Sequence, residues 1–224
     1  MRATAGSVHV WQVDLTAVGA GLEDLLSADE RLRADRILRE RNRTLWARSR
    51  GVLRALLGRY LERDPRELRF VLGTHGKPAL SPEGPTRPDA GENLRFNLSH
   101  SGGLALVAVT VGHEVGIDLE VTGRRVLDEP ALAARVLGRT QAARLAELDP
   151  RTREREFMRA WVAHEAVVKC WGLGLFAPPE DSTRPGESTQ RDLWTAELDV
   201  GPGGYAAVAV QGGPCELHLR DWGT

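Results

Sequence analysis

Apolar and polar residues alternate along "SVHVWQVDL" at residues 7 to 15, with Val8, Val10 and Gln12 on one face, which predicts a strand. The period then lengthens. Ser27-Ala-Asp-Glu30 is a capping box, so a helix is predicted from Ala28 to about Leu61, with a break near Asn42. Asp64-Pro65 predicts a short helical turn, and "LRFVLG" at 68 to 73 a short strand. "THGKPAL" reads as a turn, and the proline- and glycine-rich residues 81 to 92 as a surface loop. "NLRFNLSHSGGLALVAVTVG" reads as two strands about a turn at Ser99 to Gly103. "HEVGIDLEVT" reads as a third strand, which together predict an antiparallel meander. Helical spacing returns over Pro130 to Leu137, Gln141 to Leu148, and from Asp149-Pro150 to about Trp171, stopped by Gly172. Residues 178 to 190 read as loop, and "LWTAELDV", "YAAVAVQ" and "CELHLRDW" as closing strands.

The order of elements predicts an α+β fold. Each half carries one long helix and a few antiparallel strands, so the chain divides into two related subdomains, 1–112 and 113–224. With 224 residues, 42% hydrophobic and 27% charged, the chain is long and apolar enough to bury a core.

Charge narrows the classes. The net charge of −1 carries no global basic field, which argues against nucleic acid. Arginines nevertheless crowd residues 31 to 54. Such a run is usually a solvated helix face, and otherwise an anion site. Cys170 and Cys215 have no metal-ligand spacing. No basic n-region precedes an apolar run, and no stretch approaches 18 apolar residues, so a cytoplasmic protein without membrane contact is expected.

Three stretches could carry chemistry. In "GIDLEV", Asp118 and Glu120 share the strand face opposite Ile117, Leu119 and Val121, about 7 Å apart. Two such carboxylates can converge on Mg²⁺ or Mn²⁺. Alone, the pair equally fits a half-buried strand showing its acids to water. In "FNLSHS", Ser99, His100 and nearby glycine amides could hydrogen-bond a phosphate, although a lone histidine is more often structural. In "AWVAHEAVVKCWG", Trp161, Glu165 and Lys169 share one helix face. An exposed Glu165–Lys169 pair would contribute only about 0.3–0.5 kcal/mol. Yet of 30 basic residues only Lys77 and Lys169 are lysine, where a compact ammonium replaces the arginine fork used everywhere else.

Gly76-Lys77-Pro78, Phe96-Asn97-Leu98-Ser99-His100-Ser101, Gly116-Ile117-Asp118-Leu119-Glu120 and Trp161-x-x-x-Glu165-Ala166-x-x-Lys169 together resemble the Sfp-type 4′-phosphopantetheinyl transferases. Each motif is weak alone; the four in this order are specific. The arginine-rich helix and "GLGLFAPP" extend the resemblance over most of the chain. The resemblance implies a pseudo-dimer of two α+β halves, monomeric in solution, with its site in the cleft between them. The implied reaction moves the phosphopantetheine arm of coenzyme A to a serine of an apo acyl, peptidyl or polyketide carrier protein and releases adenosine 3′,5′-bisphosphate. By resemblance, Asp118, Glu120 and Glu165 hold Mg²⁺ and Lys169 contacts phosphate. Ser99 and His100 bind phosphate groups, Lys77 sits near the adenylate, and Arg33 and Arg41 serve the 3′-phosphate. Glu165 is the implied base, directly or through a water. His164 departs from the family, which commonly has lysine there, and a contact made by histidine would depend on pH. The alternative is a non-catalytic, carrier-binding scaffold on the same fold.

Overall fold

The computed structural model describes residues 2–82, 93–121, 130–173 and 192–223. The chain runs β1 (Ser7–Asp14), α1 (Ala28–Asp35), α2 (Glu40–Leu61), β2 (Phe70–Leu72), β3 (Pro78–Leu80), β4 (Leu94–Ser101), β5 (Leu104–Val111) and β6 (Val115–Val121). It continues through α3 (Pro130–Leu137), α4 (Arg139–Ala146), α5 (Pro150–Trp171), β7 (Leu193–Leu198), β8 (Gly204–Gln211) and β9 (Glu216–Asp221). Among the described residues no helix is long and apolar enough to cross a membrane.

Four layers follow from the alternation. One sheet has the order β4-β5-β1-β9, a second β6-β8-β7, and β2-β3 form a small hairpin. Leu53, Leu56 and Leu57 of α2 pack on Trp11, Phe96 and Val107 of the first sheet. The opposite face of that sheet, through Val8, Val10 and Leu106, meets Ile117, Leu119 and Val208 of the second. Val162, Ala166 and Cys170 of α5 then cover Ala207 and Ala209 on the outer face of the second sheet. Each aliphatic side chain fully buried in this stack contributes about 1.5–3 kcal/mol. The mixed α+β character with small sheets against long helices is as the sequence predicts. One strand departs from the antiparallel pattern: β9 pairs parallel with β1, so the last strand completes the first sheet.

The capping box forms as read, with Ser27 Oγ accepting from the Glu30 amide and Glu30 from the Ser27 amide. The helix break, however, falls at residues 36–39, not near Asn42. Arg36 and Ile37 close α1 with tight amide bonds to Arg33 and Ala34, and Arg39 is extended before α2. Pro78–Leu80, read as part of a turn, is a strand paired with Phe70–Leu72; its proline opens the strand, where it costs no ladder bond.

The predicted meander is also corrected. β4 and β5 pair antiparallel, but β6 leaves them and pairs with β8. The inward side chains of β6 match the second sheet, and Gly112, with φ of 82°, turns the chain away. Most of the predicted loops at 81–92 and 178–190, and the "GLGLFAPP" segment beyond Leu173, lie outside the described residues.

The buried carboxylate of Glu30 is paired on both oxygens. Glu30 accepts from Arg50 Nε at 2.9 Å and Nη2 at 2.7 Å, and from Arg54 Nε at 2.5 Å. Arg54 spends Nη1 on the carbonyls of Pro65 and Leu68. Desolvation would raise the Glu30 pKa, but the Ser27 amide and the two guanidinium groups more than offset it, and the net shift is downward.

Candidate active site

α5 starts where Asp149 caps it and Pro150 occupies its first turn, and it stops at Gly172, whose φ of 65° suits a residue without a Cβ. Its seating depends on Gly116. A Cβ there would stand 2.0 Å from the Ala166 carbonyl oxygen and 2.3 Å from the Cys170 nitrogen. The helix backbone therefore lies directly on β6, and the residues flanking that contact, Glu165 and Lys169, are brought onto the strand's polar face. Trp161 stacks near Phe157, with ring centroids 6.2 Å apart, and packs at the edge of the α5 core.

That face is buried. Asp118 is 4% exposed and Glu165 3%, so the acids do not simply face water. Lys169 Nζ ion-pairs with Asp118 Oδ1 and also donates to Ser99 Oγ at 3.2 Å. Ser99 Oγ donates to Asp118 Oδ1 at 3.0 Å and accepts the Leu119 amide at 3.3 Å. One proton given and two received saturate this hydroxyl. Ser99 reaches a phosphate only by giving up one of these bonds.

Two oxygens are left over. Asp118 Oδ2 and Glu165 Oε1 are buried without a hydrogen-bond partner. An unpaired buried polar group costs about 1–3 kcal/mol, more when charged. Burial first, then the charge of Asp118, pushes the Glu165 pKa up to about 7, with Glu120 adding to the rise and Lys169 opposing it. Two unpartnered hard oxygens in negative, desolvated surroundings suit a divalent cation by donor chemistry. Among the described residues, though, no group of three His, Cys, Asp or Glu side chains is assembled as a metal cluster. Glu120 instead accepts from Ser101 Oγ at 3.0 Å.

His100 keeps an open edge to solvent, while the protein around it and then Lys169 hold its pKa below the usual imidazole value. His164 is half-buried, and burial lowers its pKa. Lys77, in the turn before β3, reaches the C-terminal end of α5 with its side chain. Its Nζ donates to Glu114 Oε2 at 2.6 Å and to the Cys170 carbonyl at 2.9 Å. Arg95 donates to the other Glu114 oxygen at 2.9 Å. These residues line a cavity of about 520 Å³ together with His75, Phe96 and Trp171. Arg33 and Arg41 are exposed on α1 and in the first turn of α2. Among the described residues no recorded hydrogen bond or ion pair joins them to the carboxylates. The structure thus gathers Ser99, Asp118, Glu165 and Lys169 directly and His100 and Glu120 around them. Lys77 lines a cavity with Glu114 and Arg95, and Arg33 and Arg41 lie on the exposed faces of α1 and α2.

Sequence reasoning quoted Asn97, Ser101 and Gly116 within its motifs without giving them a role, and missed Glu114 and Arg95. The signal for the first two was present as polar alternation in "FNLSHS" opposite "GIDLEV".

The site sets two buried acids and a half-buried lysine beside a polar strand. The particular class follows from its relatives. The family described as the 4′-phosphopantetheinyl transferase superfamily matches residues 114–198. The 4′-phosphopantetheinyl transferase HetI of Nostoc sp. is 35% identical over 214 residues, 92% of this chain and 88% of that protein. The 4′-phosphopantetheinyl transferase Sfp of Bacillus subtilis is 30% identical over 127 residues, 57% of this chain and 51% of that protein. The 4′-phosphopantetheinyl transferase AcpT of Escherichia coli K12 is 35% identical over 116 residues, 52% of this chain and 53% of that protein. The chain belongs to the 4′-phosphopantetheinyl transferases, enzymes that transfer phosphopantetheine from coenzyme A to carrier proteins. The resemblance drawn from the four motifs is borne out.

Proposed function

We propose that the acceptor is a serine hydroxyl of an apo carrier protein and that transfer depends on Mg²⁺, or Mn²⁺, held by Asp118, Glu120 and Glu165. The observation that carries this reading is the pair of orphaned buried oxygens, Asp118 Oδ2 and Glu165 Oε1. Hard oxygens of this kind select such ions. When bound, the ion neutralises charge on the pyrophosphate of coenzyme A.

The chain's own groups do the rest. The serine oxygen forms a bond to the phosphorus that carries the pantetheine arm. The bond from that phosphorus to the bridging oxygen breaks, and adenosine 3′,5′-bisphosphate leaves. Glu165, with a pKa near 7, is matched to receive the serine proton, directly or through a water. Lys169 supplies compact positive charge to phosphate, and Ser99 and His100 contact phosphate oxygens. Lys77, which lines the cavity of about 520 Å³, serves the adenylate end. Arg33 and Arg41 serve the 3′-phosphate, consistent with their exposure.

We read the two halves as subdomains 1–112 and 113–224 with the coenzyme A and metal site in the cleft between them, which makes a monomer sufficient. Peptidyl, polyketide and acyl carriers of secondary metabolism, met in the cytoplasm, are the acceptors this reading favours. The carrier-contacting loops expected after Gly123 and near Phe176 lie outside the described residues.

The test is intact mass spectrometry of apo acyl, peptidyl and polyketide carriers incubated with the protein and coenzyme A. A gain of about 340 Da, the mass of the phosphopantetheine arm, is expected with Mg²⁺ and not with a chelator. Equal transfer in the chelator overturns the metal assignment.

A further inference from the structure

The polar residues of β4 do more than line the site. β6 is an edge strand of its sheet, and its amides at 117, 119 and 121 turn toward β4, not toward β8. Each is met by a side chain. The Ile117 amide donates to Asn97 Oδ1 at 2.9 Å, the Leu119 amide to Ser99 Oγ at 3.3 Å, and the Val121 amide to Ser101 Oγ at 3.2 Å. The offset is 20 residues at every rung, so β4 and β6 run in the same sense and in register. Side chains here stand in for the backbone ladder that would otherwise join the two sheets.

The residue types follow the chemistry of each rung. Beside Ile117 lies Gly116, which needs no donor, and an amide oxygen suffices to accept the strand's N–H. Beside Leu119 and Val121 lie Asp118 and Glu120, which need a donor as well. A hydroxyl can accept and donate at once. Ser99 donates to Asp118 Oδ1 at 3.0 Å and Ser101 to Glu120 Oε2 at 3.0 Å. Ser99 is already tied to Lys169, whereas Ser101 has no part in the proposed chemistry.

We propose that Ser101 is a positioning residue: by holding the Val121 amide and the Glu120 carboxylate together, it presents Glu120 to the cation and joins the metal-binding face of β6 to β4. This rests on the metal reading given above. Groups that orient a ligand in this way commonly change metal affinity by about 10–100-fold when removed.

The test uses the whole protein without coenzyme A. Mn²⁺ binding is measured by calorimetry and electron paramagnetic resonance for wild type, Ser101→Ala, Ser101→Thr, Glu120→Gln and the Ser101→Ala/Glu120→Gln double variant. Exchange of the Val121 amide is followed in parallel. Ser101→Ala is expected to bind Mn²⁺ about 10-fold more weakly and to exchange Val121 faster. Ser101→Thr, which keeps the hydroxyl, should restore both. In the Glu120→Gln background, Ser101→Ala should add little further loss, because the serine acts through that carboxylate. Unchanged Mn²⁺ affinity in Ser101→Ala, or full additivity with Glu120→Gln, overturns the proposal while leaving the metal reading intact. Failure of the wild type to bind Mn²⁺ overturns the metal reading, and with it the role through Glu120. A Ser101→Ala protein too unstable to measure is replaced by Ser101→Thr, whose failure to match wild-type affinity also counts against the proposal.

Discussion

Glu30 and Glu165 are buried to nearly the same degree, 6% and 3% exposed, yet burial has opposite outcomes for them. Glu30 lies between α1 and α2, with Arg50, Arg54 and the Ser27 amide covering both oxygens. Its pKa falls. Glu165 lies between α5 and β6, faces Asp118 and Glu120, and leaves one oxygen without a partner. Its pKa rises to about 7. Desolvation is unfavourable for both. What differs is whether the protein completes the site itself. The first half closes its charge for stability. The second leaves two carboxylate oxygens without a partner, Asp118 Oδ2 and Glu165 Oε1.

Breaking the second site should cost most in activity. Glu165→Gln keeps the shape but removes the charge, and phosphopantetheine transfer should fall at least about 10³-fold, or about 4 kcal/mol in the barrier. Carrier labelling followed by mass spectrometry reads this; a loss of less than tenfold would deny Glu165 its role.

Breaking the first site should cost stability. Glu30→Ala strands Arg50 and Arg54 in the core, and removing one member of a buried ion pair typically destabilises by about 3–5 kcal/mol. Urea unfolding measures it. The folded protein should still transfer phosphopantetheine at close to the wild-type rate, since Glu30 touches nothing at the site. A smaller effect is expected for Lys169→Arg. The charge survives, but a planar fork replaces the point charge that meets Asp118 Oδ1 and Ser99 Oγ together. A loss of about tenfold in kcat/KM, about 1.4 kcal/mol, is expected; wild-type kinetics would mean that charge alone matters at this position.

Much of this contrast was legible in the chain. The capping box at Ser27 and Glu30, the stop at Gly172 and the alternation in "GIDLEV" each have a local cause, and each falls where predicted. The acids, Lys169 and Ser99 were named from short motifs that the fold then brings into contact. What the chain did not disclose depends on meeting across distance. The meander was expected because β4, β5 and β6 are consecutive, yet β6 chooses β8, whose apolar face matches its own across 90 or so residues. The polar alternation of "FNLSHS" was visible, but that its side chains meet strand amides 20 residues further on is not written locally. The need for Gly116 comes from α5, whose backbone at Ala166 and Cys170 leaves no room for a Cβ there. The Glu30 network likewise needs Arg50 and Arg54 from another helix.

On the proposed reading, Glu165 binds a cation when one is supplied. A carboxyl whose pKa is about 4.5 when unfolded and about 7 when folded keeps its proton longer in the folded state. Its contribution favours the folded protein at low pH and is lost as pH rises through about 7. The difference is about 3 kcal/mol at 1.36 kcal/mol per pKa unit. The direct measurement is urea unfolding of wild type and Glu165→Gln from pH 4.5 to 8, with and without Mg²⁺. Without the ion, Glu165→Gln should gain about 3 kcal/mol on the wild type across that range, levelling off above pH 7. Adding Mg²⁺ at pH 8 should stabilise the wild type and not the variant. Parallel stability curves for the two proteins, together with no response of the wild type to Mg²⁺, would contradict the claim.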